Sequence, residues 1–294
     1  MALKGISSVL VEKHSSSIVV EYTPHDNLGT GLSGWGDMVR ELWDSRELTW
    51  RMWYRDFSAR YRQSILGYVW AVVPSIVMVA TFSWLSRARV LSLDRTTLPY
   101  PLFLLLGTTV WQLFAGGLIG ATGSLAASGS LITKINFPRE TLVIAAFGQS
   151  VFDFLVRAVL VAVAFAVYRV TPHWQIVFVP LIVIPLALFT MGLGYVLALA
   201  NGVLRDVGQA VTFILTFWMF LTPVIYPPAT TGLKAVLNYA NPISPYVIAA
   251  QDLVSIGHLS QARNYGVACV VSVLVFAFGW RIFHLAETRI AERI

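Results

Sequence analysis

Arg55-Asp56-Phe57-Ser58-Ala59-Arg60-Tyr61-Arg62-Gln63-Ser64-Ile65-Leu66-Gly67-Tyr68-Val69-Trp70-Ala71-Val72-Val73-Pro74 is where the chain changes solvent. Three arginines, Arg55, Arg60 and Arg62, crowd its first half, and no charged residue follows from Ile65 to Leu85. An uncharged stretch of about twenty residues suffices for a helix to cross a hydrocarbon core of roughly 30 Å. Tyr68 and Trp70 fall at the level of the headgroups, where amphipathic rings are favoured.

The same signature recurs downstream. The 294 residues are 56% hydrophobic and 12% charged, with a mean hydropathy of +0.69. A soluble domain carries about 25% charged residues. The composition therefore indicates a polytopic membrane protein. The net charge of +6 flanks apolar spans, so anionic lipid headgroups, not nucleic acid, are its expected partner. Cys269 is the sole cysteine, which excludes an intrachain disulfide. Met1 to Glu21 lacks the unbroken apolar core of a secretory leader, so insertion is expected to use the internal spans.

Working outward in both directions gives an all-α integral membrane fold. Residues 1–34 read as a flexible cytosolic arm, rich in turn formers from Pro24 to Gly34. Residues 35–62 read as one amphipathic interface helix: Trp43, Trp50 and Trp53 alternate at helical spacing with charges that include Arg55, Arg60 and Arg62. A soluble helix resting on another domain would show the same pattern. Residues 63–284 form the transmembrane domain, with six crossings expected at about 65–85, 101–124, 141–169, 175–200, 208–226 and 265–283. The segment 227–263 is too apolar for a plain loop and is broken by Pro227, Pro228, Pro242 and Pro245. Two re-entrant helices between the fifth and sixth crossings fit it, since irregular backbone at membrane depth must be covered by protein or face water. Residues 285–294 are left as a cytosolic tail. With both termini inside, most basic residues fall on the cytosolic side. Arg87, Arg89 and Arg95 depart from that bias and are candidates to meet an anionic headgroup or substrate.

Several chemistries lack their residues. None of the four lysines, Lys4, Lys13, Lys134 and Lys234, sits in a Gly-Lys-Ser/Thr setting, so no phosphate-cradling loop is present. The five histidines are scattered and suggest no metal site. No nucleophile elbow is found. No cofactor is expected in this chain.

Other stretches carry two readings each. Asp153 and Arg157 lie four apart within a span and can neutralise each other. Such a pair is a structural clasp or part of a proton relay, and the relay would want further titratable neighbours. Phe213, Phe217 and Phe220, beside Thr212 and Thr216, make a stripe that suits packing, lipid, or the wall of a sugar-conducting channel. Gly116, Gly120 and Gly123 permit close helix contact. Pro138 suits a helix start, and Glu140 in the first turn suits the helix dipole. Residues 130–142 are then either a capped loop or a short docking helix for a partner.

Four stretches in order resemble the ABC-2 type permeases that export polysaccharides. They are Arg55 to Ala71; Lys134-Ile135-Asn136-Phe137-Pro138-Arg139-Glu140; Phe220-Leu221-Thr222-Pro223-Val224-Ile225-Tyr226-Pro227; and Asn241-Pro242-Ile243-Ser244-Pro245. The resemblance spans roughly residues 35–290. It implies a half-transporter, in which two copies form a channel above two separate ATP-hydrolysing subunits that hold the ATP and magnesium. Lys134, Ile135, Asn136, Phe137, Pro138, Arg139 and Glu140 would couple to the ATPase. Trp70, Trp111, Phe213, Phe217, Phe220, Pro223 and Tyr226 would be channel or gate candidates. The cargo would be a polymer on a polyprenyl-diphosphate-type lipid, crossing the bacterial inner membrane. The chain itself would be no enzyme. The alternative is an integral membrane enzyme of lipid-linked sugar metabolism, with Asp153 as its acid or base.

Overall fold

The computed structural model describes residues 33–61, 67–88, 96–132, 137–229 and 231–290. Among them every regular element is helical. The arm before Ser33, Arg62, Arg89, Arg95, the loop residues Lys134, Ile135 and Asn136, and the end of the tail lie outside the described residues.

The expected interface helix is two helices, α1 (Ser33–Asp44) and α2 (Arg46–Tyr61). Asp44 and Ser45 are weak helix formers that compete for backbone partners. The hydrogen bond from Ser45 N to Glu41 O persists, so the join is a kink and not a gap. A 3₁₀ turn (Gly67–Ala71) leads to α3 (Val73–Arg87). Pro74 sits in the first turn of α3, where its missing N–H costs nothing, and this starts the helix later than residue 65.

Among the described residues, four helices are long and apolar enough to span a membrane. They are α4 (Tyr100–Ala127), α6 (Glu140–Tyr168), α7 (Val179–Val203, entered through a 3₁₀ turn at Trp174–Phe178) and α11 (Ala262–Ile290, apolar to Ala286). The single turn α5 (Gly129–Ile132) follows α4. Between α7 and α11 stand α8 (Asp206–Leu221), α9 (Gly232–Ala240) and α10 (Ser244–Ser255). With 15 and 16 residues, α3 and α8 are shorter than these four helices. Thr222, placed before Pro223, is forced into extended backbone and ends α8 at Leu221, short of the expected residue 226.

Helix α4 is the axle. It lies against α6 and α7, with α3, α8 and α10 around it, and α7 lies against α11. Leu104, Leu113, Phe114, Leu118, Phe189 and Tyr246 are buried in the central layer. The closest backbone approach joins α7 to α11: a Cβ on Gly279 would stand 2.1 Å from the Gly192 carbonyl oxygen. The stripe read from sequence contributes less. Gly116 and Gly120 meet α6 at ordinary contact distance, and Gly123 meets nothing.

At the end of the bundle where α4 and α7 finish and α6 begins, a second layer gathers Met38, Met52, Leu125, Phe137, Leu142, Tyr195, Trp280 and Phe283. Helices α1 and α2 belong to this layer. Trp53 lies over Gly148, where a Cβ would come within 2.8 Å of the indole. It also stacks on Phe57 (centroids 5.1 Å apart), whose ring meets Phe152 edge-on at 4.7 Å. Meanwhile Trp43, Trp50 and Tyr54 are exposed. The aromatics expected on one face are therefore divided: Trp53 and Phe57 are seated on α6, whereas Trp43, Trp50 and Tyr54 share the exposed side with the charges.

Candidate functional site

The elbow between α4 and α6 is rooted in the protein. Phe137 is 6% exposed and sits in the layer formed by Met52, Leu142 and Phe283. Pro138 is buried, and its carbonyl accepts hydrogen bonds from Thr141 Oγ1 (2.7 Å) and from the Thr141 backbone N–H (3.2 Å). Arg139 is half-buried and stands at the cap of α6.

Glu140 opens α6 and is 4% exposed. Its Oε1 accepts from Nδ1 of His284 at 2.8 Å, a residue 144 positions away near the end of α11. Burial of an acid requires such a donor, because desolvation of an ion without one is costly. His284 is the residue that reading the sequence misses. Its spacing from any acid is uninformative, and only the antiparallel placement of α6 and α11 brings the two together.

The acid at Asp153 is held both from its own helix and from outside it. Asp153 Oδ2 lies 3.3 Å from Nη1 of Arg60 at the end of α2, and Oδ1 accepts from Gln149 Nε2 at 3.4 Å. Arg157, one turn further along α6, is buried. Arg55 spends its guanidinium on neighbouring Asp56 at 2.8 Å, and the Arg46 guanidinium sits 5.2 Å over the Trp43 ring. Helix α2 thus meets α6 through the Arg60–Asp153 contact, the edge-on Phe57–Phe152 pair and Trp53 over Gly148. Among the described residues, no three His, Cys, Asp or Glu side chains form a metal-binding group.

The channel and gate candidates divide. Phe213, Phe217 and Phe220 project from one exposed face of α8, and Val211 and Leu215 fill the opposite, buried face. On the exposed side the hydroxyls of Thr212 and Thr216 donate to the carbonyls of Gly208 and Thr212, at 3.0 and 2.9 Å. Trp70 is exposed and Tyr226 half-buried. Trp111 and Pro223 do not join an open face. Trp111 is 2% exposed and meets Phe114 edge-on, because α4 is surrounded by other helices; Pro223 is buried in the turn after α8.

That turn is organised by Asn241. Its Oδ1 accepts from Trp218 Nε1 (3.1 Å) and from the Ile243 N–H (3.0 Å). Its Nδ2 donates to Thr222 Oγ1 (2.8 Å) and to the Leu221 carbonyl (3.3 Å). One side chain so joins the end of α8 to the start of α10. Asn201 acts similarly at the opposite end of α8. Its Nδ2 donates to the Thr122 carbonyl at 3.0 Å, and its Oδ1 accepts from Gly208 N–H at 2.8 Å.

Residues 47–254 match the model of the ABC-2 type transporter family. An O-antigen export system permease protein, RfbA, of Myxococcus xanthus is 28% identical over 264 residues, covering 87% of this chain and 99% of the relative. Two RfbA permease proteins of Klebsiella pneumoniae are 26% and 23% identical over 242 residues, covering 81% of this chain and 91% of each relative.

Proposed function

Because the chain belongs to the ABC-2 type transporter family, we propose that it is the membrane-spanning subunit of an ATP-driven exporter of a lipid-linked polysaccharide. The chain is a multi-pass membrane protein, and its relatives are named as export permeases. In this reading two copies enclose the path. Two separate ATPase subunits, holding ATP and magnesium, engage the elbow at Lys134–Glu140. The cargo is a polymer on a polyprenyl-diphosphate-type lipid, crossing the bacterial inner membrane from the cytosol. Helices α3 and α8 complete six crossings, α9 and α10 are the re-entrant pair, and both termini are cytosolic.

The observation that carries the reading is the rooting of the elbow. Phe137, Pro138 and Glu140 are buried at the junction of α1, α2, α6 and α11, so a push on the residues before them cannot be absorbed by a loose loop. Rigid packed elements transmit displacement because interiors are close-packed.

The deciding experiment uses membrane vesicles carrying the subunit with its ATPase. Scrambling residues 134–140 is expected to abolish ATP-dependent export and to change ATP hydrolysis by the complex. Unchanged export and hydrolysis would refute the assignment. Asp153→Asn separates this reading from a membrane enzyme: we expect less assembled protein, through loss of the Arg60 contact, and normal export per assembled complex.

A further inference from the structure

Glu140 and His284 connect the elbow to the last membrane helix. Glu140 is the first residue of α6, immediately after the elbow, and His284 lies in the closing turns of α11. Their side chains are 5% and 13% exposed, so water competes little for the 2.8 Å contact. Around them lie the apolar Phe137, Leu142 and Phe283, with Tyr195, Glu41 and Arg281 near enough to act on the pair electrostatically.

The same stretch of α11 holds other elements. The Trp280 ring meets Trp35 of α1 edge-on at 6.0 Å, and Arg281 Nη1 approaches the Met38 sulfur at 3.4 Å. Further along α11, Gly279 is pressed against Gly192 of α7. A displacement that reaches α11 through His284 is therefore shared at once with α1 and α7.

We propose that His284 is a positioning residue of the transport stroke: through Glu140 it locks the root of the elbow to α11, so that the elbow moves α11 together with α6. This rests on the export reading above. The chemical basis is directional. A charge-assisted hydrogen bond fixes both distance and angle, whereas apolar contacts let one helix slide along the other. If the pair only satisfied a buried acid, it would matter for assembly and not for coupling.

The test compares His284→Asn, which keeps an amide donor near the position of Nδ1, with His284→Leu, which fills space without a donor. Both are assembled with the ATPase partner in vesicles, and polymer exported per ATP hydrolysed is measured beside the wild type. We expect the Asn variant to stay close to wild type. The Leu variant should lose export per ATP on the order of tenfold while hydrolysis continues, as losing one buried hydrogen bond to a charge predicts. Should the Leu variant not assemble, Glu140→Gln/His284→Leu takes its place with the same expectation, since it leaves no buried ion. Wild-type coupling in the Leu or double variant overturns the proposal, as does an Asn variant no better than Leu. A wild-type complex without ATP-driven export brings down the export reading, and the proposal with it.

Discussion

Asn241 uses both ends of its amide to hold two helices, and its loss has a calculable consequence. Asn241→Leu leaves the Trp218 indole N–H and the Ile243 amide without their present acceptor, while the Thr222 hydroxyl keeps only its own bond to the Trp218 carbonyl. A buried polar group deprived of its partner costs roughly 1–3 kcal/mol. We expect the variant to unfold at clearly lower denaturant or temperature in detergent, and an unchanged midpoint would contradict the role given to this side chain. Residues of this kind explain what the sequence hides. Asn241 is visible as part of a Pro-interrupted stretch, but three of its four partners lie between Trp218 and Thr222, which only the tertiary fold brings to it. His284 and Arg60 are hidden for the same reason: each meets an acid on another helix. Asp153 stands out in one dimension as a charge inside an apolar run, and the spacing rule points to Arg157 on the same helix but cannot point to Arg60.

Helices were legible where hydrocarbon length and proline position agree. The spans expected at 101–124 and 141–169 differ by no more than three residues at either end from α4 and α6. Errors fell at prolines: Pro74 delays α3, and Pro223 ends α8 early. The glycine contacts that matter most were missed, because a small-residue stripe shows that an approach is possible without showing to what. Gly192 and Gly279 sit in different spans, and nothing in either span marks the pairing. At this scale Gly279→Leu is decisive. Its first side-chain carbon would stand 2.1 Å from a carbonyl oxygen that belongs to backbone and cannot rotate away. Overpacking of this sort costs about 1–3 kcal/mol or more. We expect α11 to separate from α7, with loss of folded protein on size exclusion; full recovery of monodisperse protein with unchanged thermal stability would show that the helices can part at no cost.

For the whole molecule, the aromatic face of α8 is one of the apolar faces that a single subunit leaves exposed, beside those of α6, α7 and α11. If two copies enclose a path, Phe217 of one copy should come within reach of Phe217 in the other. Phe217→Cys in a Cys269→Ser background is expected to form cross-linked dimers with thiol reagents of graded length. Val159→Cys, placed on the exposed side of α6, is expected to remain monomeric. Equal cross-linking from both positions, or none from α8, would place the dimer contact elsewhere. The general class of molecule was evident from hydropathy alone, and the family from four motifs in order. The way the elements at one end of the bundle are bolted into one layer was not, since Met38, Phe137, Tyr195 and Phe283 come from four separate regions of the chain.

The threonines beside that aromatic face carry a last implication. Thr212 and Thr216 give their hydroxyl protons to the turn beneath them, so this side of α8 offers passing molecules ring faces and lone pairs but few protons. A sugar chain sliding along it would find a low-friction surface that grips no particular hydroxyl pattern. If this face lines the path of the exporter proposed above, that path would be indifferent to the order of monomers, and choice of cargo would have to be made before the polymer arrives at it.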